Sequence, residues 1–327
     1  MPARLPSLEF EFALLGAGAM GSIIGAHLAR AGHSVVMLAR ERRARQIQAD
    51  GVRIKGLAEF SAPLPTITDP AQLRRADVLI VATKALNTAA SLEPLRSAEI
   101  GAAFSIQNGV LKNELLGAVF GADRVLGALA NISGEVLPSG EVVFTRNVNV
   151  LIGELAVGMS PRAQRLAQIL DASGVRSTAV PDIQSQEWSK FAAWVGLVAL
   201  AVTTRATTWK FLLDPDAALL LVRLVREVQS LAEACGVAFT DESMFPVATL
   251  CRVTERAAIE MVKALGSEYR SNAPQHRLST LQDLEAGRPL ELEETLGFAL
   301  KKAAQLQLSL PLVETFYSLA SAIDRAR

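Results

Sequence analysis

The stretch Phe12-Ala-Leu-Leu-Gly16-Ala17-Gly18-Ala19-Met20-Gly21 decides how the first half of the chain folds. An apolar run ends at Gly16, and the following residues, 22–30, have the composition of a helix. The glycine spacing is G-x-G-x-x-G between a strand and a helix, the context in which this pattern indicates a dinucleotide site. A pyrophosphate would lie on the N–H groups at the start of the helix, against residues 16–21. An ordinary glycine-rich turn is the alternative.

The residue that ends the second strand indicates which dinucleotide is bound. Residues 34–39 read as a strand, and Arg40 follows them. An NAD site usually has an acidic residue about 20 positions after the glycines, which binds the ribose 2′-hydroxyl. The guanidinium of Arg40 suits the 2′-phosphate of NADP instead. Glu41 leaves NAD open, because a solvated helix start would look similar.

Composition excludes several classes of protein. The 327 residues are 50% hydrophobic and 20% charged, which is typical of a globular protein long enough for two domains. Lys plus Arg and Asp plus Glu number 33 each, so no excess of basic charge favours nucleic acid as a partner. Cys235 and Cys251 form neither a disulfide framework nor a metal-ligand spacing, which fits a reducing cytoplasm and no metal.

Neither a secretion signal nor a membrane span is expected. Residues 1–6 lack an apolar signal core. The apolar stretch at residues 191–202 is shorter than the roughly 20 residues needed to span a bilayer, and Lys190 and Arg205 flank it. We therefore interpret it as a buried core helix.

Strands and helices alternate in the first half of the chain, which predicts a doubly wound, mainly parallel sheet of the Rossmann type. Further strands are predicted at 51–56, 77–83, 102–106, 124–130, 148–153 and 175–180, with a hairpin over 135–145. Helices are predicted at 42–50, 112–120 and 161–172. After Pro181 the pattern is helical only, with helices at 183–202, 215–235, 243–265, 273–286, 291–307 and 312–325. The predicted domains are an α/β nucleotide-binding domain at 1–181 and an all-helical domain at 182–327.

Two predicted loops carry polar residues at the ends of strands. Lys84 follows the strand at 77–83, and Asn108 follows the strand at 102–106. In an open α/β sheet, ligands bind beyond the carboxyl ends of the strands, so both residues are placed near the cofactor. An ordinary turn at Asn108-Gly109 and an ordinary helix-start lysine are the alternatives.

Four polar residues stand out in the helical half. Lys190 begins an otherwise apolar helix, where it could donate a proton to an oxygen that develops negative charge, or could simply extend its ammonium into water. Glu291 is predicted at a helix start, where a carboxylate also stabilises the helix dipole. Ser279 and Asp283 lie one turn apart, either as ligand contacts or as part of a solvated face.

Taken together, these residues resemble the ketopantoate reductase (2-dehydropantoate 2-reductase) family from Phe12 to about Pro311. The resemblance implies an NADP-dependent oxidoreductase that reduces a 2-oxo acid to a 2-hydroxy acid, by default 2-dehydropantoate to pantoate, in pantothenate biosynthesis. It also implies roles for the residues: Lys190 as general acid, Glu291 on the substrate hydroxyl or the cofactor, Ser279 on the substrate, Asn108 between nicotinamide and substrate, Lys84 near the cofactor ribose, and Arg40 on the 2′-phosphate.

The chain departs from the family pattern at three positions. Well-studied members carry asparagines four and eight residues after the lysine, where this chain has Trp194 and Val198, and Thr208 replaces a later one. A pocket that loses these amides could accept a bulkier, less polar 2-oxo acid or an imine. A non-catalytic NADP(H)-binding sensor is a further alternative, against which the presence of Lys190 and Glu291 speaks.

Two further expectations concern the histidines and the assembly. A histidine-based dehydrogenase is disfavoured, because His27 and His33 read as structural residues and His276 has no evident acidic partner. The apolar helices of the second half favour a homodimer.

Overall fold

The computed structural model describes residues 8–243 and 245–326. Its Cα positions group into two compact units, one ending at Ile183 and the other beginning at Gln184. The expectation that residues 1–6 form no secretion signal concerns residues outside the described ranges.

The first unit is built on a parallel sheet with the strand order β5-β2-β1-β6-β7. The strands of this unit are β1 (Glu9–Leu15), β2 (Val35–Leu38), β3 (Val52–Gly56), β4 (Phe60–Ala62), β5 (Thr66–Ile67), β6 (Arg75–Val81), β7 (Glu99–Ser105), β8 (Leu126–Val136), β9 (Val142–Glu154) and β10 (Ser177–Ala179). Its α-helices are α1 (Ala19–Arg30), α2 (Glu41–Asp50), α3 (Thr88–Leu92), α4 (Leu111–Phe120) and α5 (Pro161–Ala172). The predicted doubly wound, Rossmann-type sheet is confirmed.

The unbroken apolar run of β1 is explained by burial on both faces of the sheet, as expected for a central parallel strand. Phe12 and Leu14 join a core that contains Ile23 of α1. Ala13 and Leu15 join a second core that contains Leu116 of α4. Alternate residues of one strand thus hold helices on opposite faces of the sheet.

A second sheet, with the order β10-β9-β3-β4 and β8 antiparallel to β9, extends the predicted architecture. The strands predicted at 124–130 and 148–153 and the hairpin at 135–145 are one long hairpin of β8 and β9. Register shifts next to Ala130 and Ser133 let the ladder continue where the sequence alternation breaks.

The second unit contains helices only among its described elements. They are α6 (Ile183–Thr204, whose first residue ends the first unit), α7 (Thr208–Leu213), α8 (Pro215–Ala234), α9 (Val247–Arg252), α10 (Glu255–Asn272), α11 (Ser279–Glu285), α12 (Leu296–Gln305) and α13 (Pro311–Arg325). None of the described helices combines the length and the hydropathy that a membrane-spanning segment needs.

The prediction of one helix over 243–265 was wrong, because the helical conformation is interrupted between α9 and α10. Thr254 caps α10, its hydroxyl accepting a hydrogen bond from the amide of Ala257 at 3.3 Å. Arg226 of α8 donates to the carbonyl of Val253 at 2.7 Å and so satisfies the end of α9. The helix predicted from residue 291 begins only at Leu296, and α7 has no counterpart among the predictions.

Candidate active site

Four strands of the parallel sheet end at the same edge. Leu15 pairs with Leu38 on one side and with Val81 on the other, and Val81 pairs with Ser105. The residues after these strand ends are Gly16, Ala39 with Arg40, Ala82 to Lys84, and Ile106 to Asn108. All the residues of the first unit that the sequence singles out for the cofactor therefore lie along this edge.

Steric contacts account for two of the three glycines in the loop at 16–21. Gly16 has φ +111°, and a Cβ there would lie 2.8 Å from the amide nitrogen of Thr83. A Cβ on Gly21 would lie 2.0 Å from the carbonyl oxygen of Gly16. Any larger side chain at either position would displace the turn between β1 and α1.

The third glycine faces open space, which fits the close approach of a ligand. A Cβ on Gly18 would have no heavy atom within 4 Å. Gly18 is also the N-cap of α1, where no side chain caps the helix and the first turn holds no acidic residue. The N–H groups at this helix start are thus suited to a pyrophosphate, and the residues present fit a dinucleotide.

Arg40 is exposed at the start of α2, while a second arginine of the same helix binds the glycine loop. The guanidinium of Arg43 donates to the carbonyl of Ala17 at 3.2 Å, to the hydroxyl of Ser22 at 3.3 Å and to the carbonyl of Gly140 at 2.7 Å. Burial lowers the pKa of Arg43. Arg43 is a functional residue that was not predicted, because its position in a helix gives no sign of the turn that its side chain reaches.

Lys84 and Asn108 occupy neighbouring loops at the strand edge. Lys84 is exposed after β6, and Asn108 is half-buried after β7, followed by Gly109 with φ +87°. The side-chain amide of Gln107 joins the two loops, because its nitrogen lies 2.9 Å from the carbonyl oxygen of Lys84. Gln107 directly precedes Asn108, and no local sequence pattern assigns it this contact.

Helix α6 carries Lys190 on an otherwise buried surface. Between Ser185 and Val202 every residue is buried except Lys190 and Trp194, which are half-buried and one helical turn apart. Trp188 and Phe191 of α6 both pack against Phe298 of α12, with ring centroids 6.4 and 5.8 Å apart, and these contacts hold the helix beside the lysine. Lys190 and Trp194 therefore share the one partly accessible face of this helix segment.

Trp194 and Val198, the first two positions at which the sequence analysis expects a departure from the family pattern, have different surroundings. The indole nitrogen of Trp194 is buried, and it has no hydrogen-bond acceptor among the residues that the structure describes. Val198, one turn further along, is only 1% exposed and belongs to the core. A buried N–H without an acceptor is costly, so Trp194 is suited to a ligand that supplies one.

The remaining predicted residues lie in α11 and in the turns before α12. Ser279 is the exposed first residue of α11, and Glu291 is half-buried, five residues before α12 rather than at its start. The hydroxyl of Thr295 donates to the carbonyl of Glu291 at 2.6 Å, which holds the intervening turn. Asp283 is buried and accepts a hydrogen bond from Arg288 at 2.6 Å.

The three histidines make structural contacts. His27 is buried against the rings of Phe60 and Phe144, and burial lowers its pKa. His33 lies 3.3 Å from the carboxylate of Glu11. Nδ1 of His276 lies 2.8 Å from the hydroxyl of Thr208.

The parallel sheet, the glycine loop and the helical second unit define the class: a Rossmann-type oxidoreductase. The model of the family "Ketopantoate reductase PanE/ApbA" matches residues 12–156, and the model of its C-terminal domain matches residues 182–324. The chain belongs to the ketopantoate reductase family.

Individual relatives are similar over nearly their whole length. A 2-dehydropantoate 2-reductase of Archaeoglobus fulgidus is 26% identical over 312 residues, covering 95% of this chain and 97% of the relative. The crystal structure of a 2-dehydropantoate 2-reductase from Methylococcus capsulatus superposes with a TM-score of 0.80 at 24% identity, covering 96% and 97% of the two chains. A D-mandelate dehydrogenase with NADH and anilino(oxo)acetate has a TM-score of 0.81 at 18% identity, covering 96% and 98%.

Proposed function

We propose that this chain reduces a 2-oxo acid to a 2-hydroxy acid with NADPH, by default 2-dehydropantoate to pantoate. The observation that carries the proposal is the half-buried Lys190 on the buried helix α6. A structural lysine on such a helix would be expected to extend fully into water. In the proposal residues 1–181 bind the cofactor and residues 182–327 supply the proton donor.

The strand edge of the first unit binds the cofactor in this proposal. Residues 16–21 receive the pyrophosphate, since Gly18 leaves the backbone open and the start of α1 offers N–H groups. Arg40, exposed at the next strand end, binds the 2′-phosphate. Lys84 lies beside the ribose, and Asn108 lies beside the nicotinamide and the substrate. When bound, NADPH supplies the hydride.

Side chains of the second unit act on the substrate. Lys190 donates a proton to the carbonyl oxygen of the substrate as negative charge develops there. Glu291 accepts a hydrogen bond from a hydroxyl group of the substrate or cofactor. Ser279 binds the carboxylate or a hydroxyl group of the substrate. Together these groups would orient the oxo acid and stabilise the charge that forms during reduction.

A second candidate function is reduction of a bulkier, less polar 2-oxo acid or of an imine. Trp194 favours it, because an indole fills the place of an amide one turn from Lys190 while its N–H has no acceptor among the described residues. An indole offers a large apolar surface and a single donor, whereas an amide offers both donors and acceptors. A substrate with an apolar substituent and one acceptor would match this side chain.

The test is the rate of NADPH and NADH oxidation with 2-dehydropantoate and with a panel of alkyl and aryl 2-oxo acids. Turnover of 2-dehydropantoate above all others, lost in Lys190→Ala, is the result expected from the first proposal. Fastest turnover of an aryl 2-oxo acid would support the second. Binding of NADPH without any turnover that depends on Lys190 would contradict both and leave a cofactor-binding sensor.

We also propose that the protein is a homodimer and that it is located in the cytoplasm. The cytoplasmic location is supported by the cysteines, since neither Cys235 nor Cys251 forms a disulfide, and burial raises the pKa of the Cys251 thiol to about 11, which makes it unreactive. A relative from Staphylococcus aureus is described as a dimeric ketopantoate reductase. Light scattering after size-exclusion chromatography should give twice the chain mass of 34.9 kDa, and a monomer mass would contradict the dimer.

A further inference from the structure

The side chain of Gln107 lies at the centre of a buried polar network between the two loops of the strand edge. Gln107 is 7% exposed, and its amide nitrogen lies 3.0 Å from the hydroxyl of Thr83, 2.9 Å from the carbonyl oxygen of Lys84 and 2.9 Å from the hydroxyl of Thr88. Its amide oxygen accepts a hydrogen bond from the hydroxyl of Ser105 at 3.0 Å. Both ends of the amide are therefore satisfied.

The surrounding groups determine the orientation of this amide. The carbonyl oxygen of Lys84 can only accept a hydrogen bond, so the group that faces it must be the NH2 end of the amide. Ser105, which is fully buried, then donates to the oxygen end. A carboxylate of the same shape would place an acceptor against an acceptor, which explains why glutamine rather than glutamate occupies the position.

A buried lysine holds the other side of the same residue. Lys112 of α4 is 5% exposed, and its ammonium group donates to the carbonyl of Gln107 at 3.0 Å and to the carbonyl of Ala128 in β8. The backbone of Gln107 is thus held by a charged donor, immediately before Asn108. The Lys84 loop is thereby held through the backbone carbonyl of Lys84, and Asn108 is held through the residue before it, Gln107.

We propose that Gln107 is a positioning residue that fixes the Lys84 loop relative to the Asn108 loop. The side chains of Lys84 and Asn108 can then contact the bound cofactor at the same time. This inference rests on the proposed function, because it assigns Lys84 and Asn108 to the cofactor. Gln107 acts through these two residues and through no contact of its own with cofactor or substrate. Fully satisfied buried networks of this kind hold a single arrangement, and small displacements of substrate-positioning groups reduce rates strongly.

The experiment is a double-mutant cycle between Gln107→Leu and the pair Lys84→Ala with Asn108→Ala. Lys84→Ala keeps the carbonyl to which Gln107 donates, so the cycle isolates what the two side chains contribute. In the wild-type background we expect Gln107→Leu to lower kcat/KM about 10- to 100-fold. In the Lys84→Ala/Asn108→Ala background the same change should lower it less than about 3-fold.

Two controls separate positioning from folding. Ser173→Ala removes a buried hydroxyl of the same unit, which donates to the carbonyl of Ile169 at 2.7 Å away from both loops, and should leave kcat/KM unchanged. If Gln107→Leu does not fold, Ser105→Ala replaces it in the cycle, since it removes the hydroxyl that donates to the amide oxygen of Gln107 and accepts from its backbone N–H at 3.2 Å. Losses of equal size in both backgrounds, or no loss in a folded variant, would overturn the proposal.

The same cycle distinguishes failure of this inference from failure of the proposed function. If the wild-type protein binds NADPH but reduces no oxo acid, the proposed reaction is wrong. The double-mutant cycle is then measured on NADPH affinity, by fluorescence titration, instead of on kcat/KM. Gln107→Leu should then weaken NADPH binding in the wild-type background only. Equal weakening in both backgrounds, or a wild-type protein that binds no NADPH, would overturn the positioning role.

Discussion

The loop at residues 16–21 and the face of α6 formed by Lys190 and Trp194 differ in the atoms that carry their proposed roles: backbone atoms in the loop, and side chains on α6. The loop offers backbone: Gly18 is open, and a Cβ on Gly21 would lie 2.0 Å from the carbonyl oxygen of Gly16. The α6 face offers side chains on a helix whose other positions are buried. Backbone geometry tolerates few substitutions, whereas a side chain on a helix can change without altering the fold. With these proposed roles, cofactor binding would be tied to the fold, and the choice of substrate would not.

The largest expected effect distinguishes two glycines of the loop. Gly21→Ala should lower NADPH affinity by at least about 100-fold and lower the unfolding temperature, because its Cβ would meet the carbonyl oxygen of Gly16. Gly18→Ala should leave the unfolding temperature unchanged, since no heavy atom lies within 4 Å of its Cβ, yet weaken NADPH about 10-fold. Thermal unfolding and fluorescence titration measure both. A Gly18→Ala variant that binds NADPH normally would contradict the account of the loop.

The next effect concerns the choice between the two cofactors. Arg40→Ala should reduce the preference for NADPH over NADH by about 10- to 100-fold, the value of a lost hydrogen bond to a charged group. Arg42→Ala is the matched control, because Arg42 is also exposed and lies two residues later, in the first turn of α2. The ratio of the two dissociation constants is the measurement. An unchanged ratio in Arg40→Ala would remove Arg40 from the cofactor site.

On the α6 face, Trp194→Asn should change the substrate without changing the cofactor. We expect kcat/KM for 2-dehydropantoate relative to phenylglyoxylate to rise about 10-fold, because the amide restores polar contacts and removes apolar surface. NADPH affinity should stay the same. Trp209→Phe, on α7, serves as the control, since its indole N–H donates to the carbonyl of Pro274 at 3.0 Å. An unchanged ratio in Trp194→Asn would mean that this face does not select the substrate.

The smallest effect lies outside both regions and affects stability alone. Arg162 binds Glu154 through two hydrogen bonds of 2.7 and 2.6 Å, and this contact holds the pKa of Glu154 below its usual value of 4.5. Arg162→Met should lower the free energy of unfolding by about 1 kcal/mol at pH 7, since the pair is partly exposed.

The pH dependence of that loss follows from the direction of the pKa shift. A carboxyl group whose folded pKa is depressed stabilises the protein above its unfolded pKa and loses this contribution as the pH falls through its folded pKa. The stability difference between the wild type and Arg162→Met should therefore shrink below about pH 4.5. Denaturant unfolding at several pH values measures it, and a constant difference would contradict the assignment. NADPH affinity and turnover at pH 7 should be unchanged.

The same contrast explains what could be predicted from sequence. Glycine spacing and strand periodicity are local patterns, so the parallel sheet and the loop between β1 and α1 were predicted correctly. The break before α10 depends on the cap at Thr254 and on Arg226 from α8, a contact between residues distant in sequence. The contacts of Arg43 with Ala17 and of Gln107 with Lys84 are also long-range, and no local pattern reveals them.

For the proposed substrate site, the individual residues could be predicted from the sequence, but their arrangement in space could not. The resemblance to the family identified Lys190 and the replacement at Trp194, but the half-buried face that they share depends on how the rest of α6 is covered. Val198 reads as the second replacement, yet it is 1% exposed and belongs to the core. Which of two replaced positions remains accessible is decided by packing, and single-sequence patterns do not contain that information.

The most direct test of the central claim is a single-turnover measurement of hydride transfer with NADPH and the best 2-oxo acid. The wild type, Lys190→Ala and Lys263→Ala would be compared, where Lys263 is a half-buried lysine of α10 paired with Glu260. We expect Lys190→Ala to bind NADPH as the wild type does and to transfer hydride about 100- to 10,000-fold more slowly. Lys263→Ala should match the wild type. Hydride transfer by Lys190→Ala at the wild-type rate would contradict the assignment of Lys190 as the proton donor.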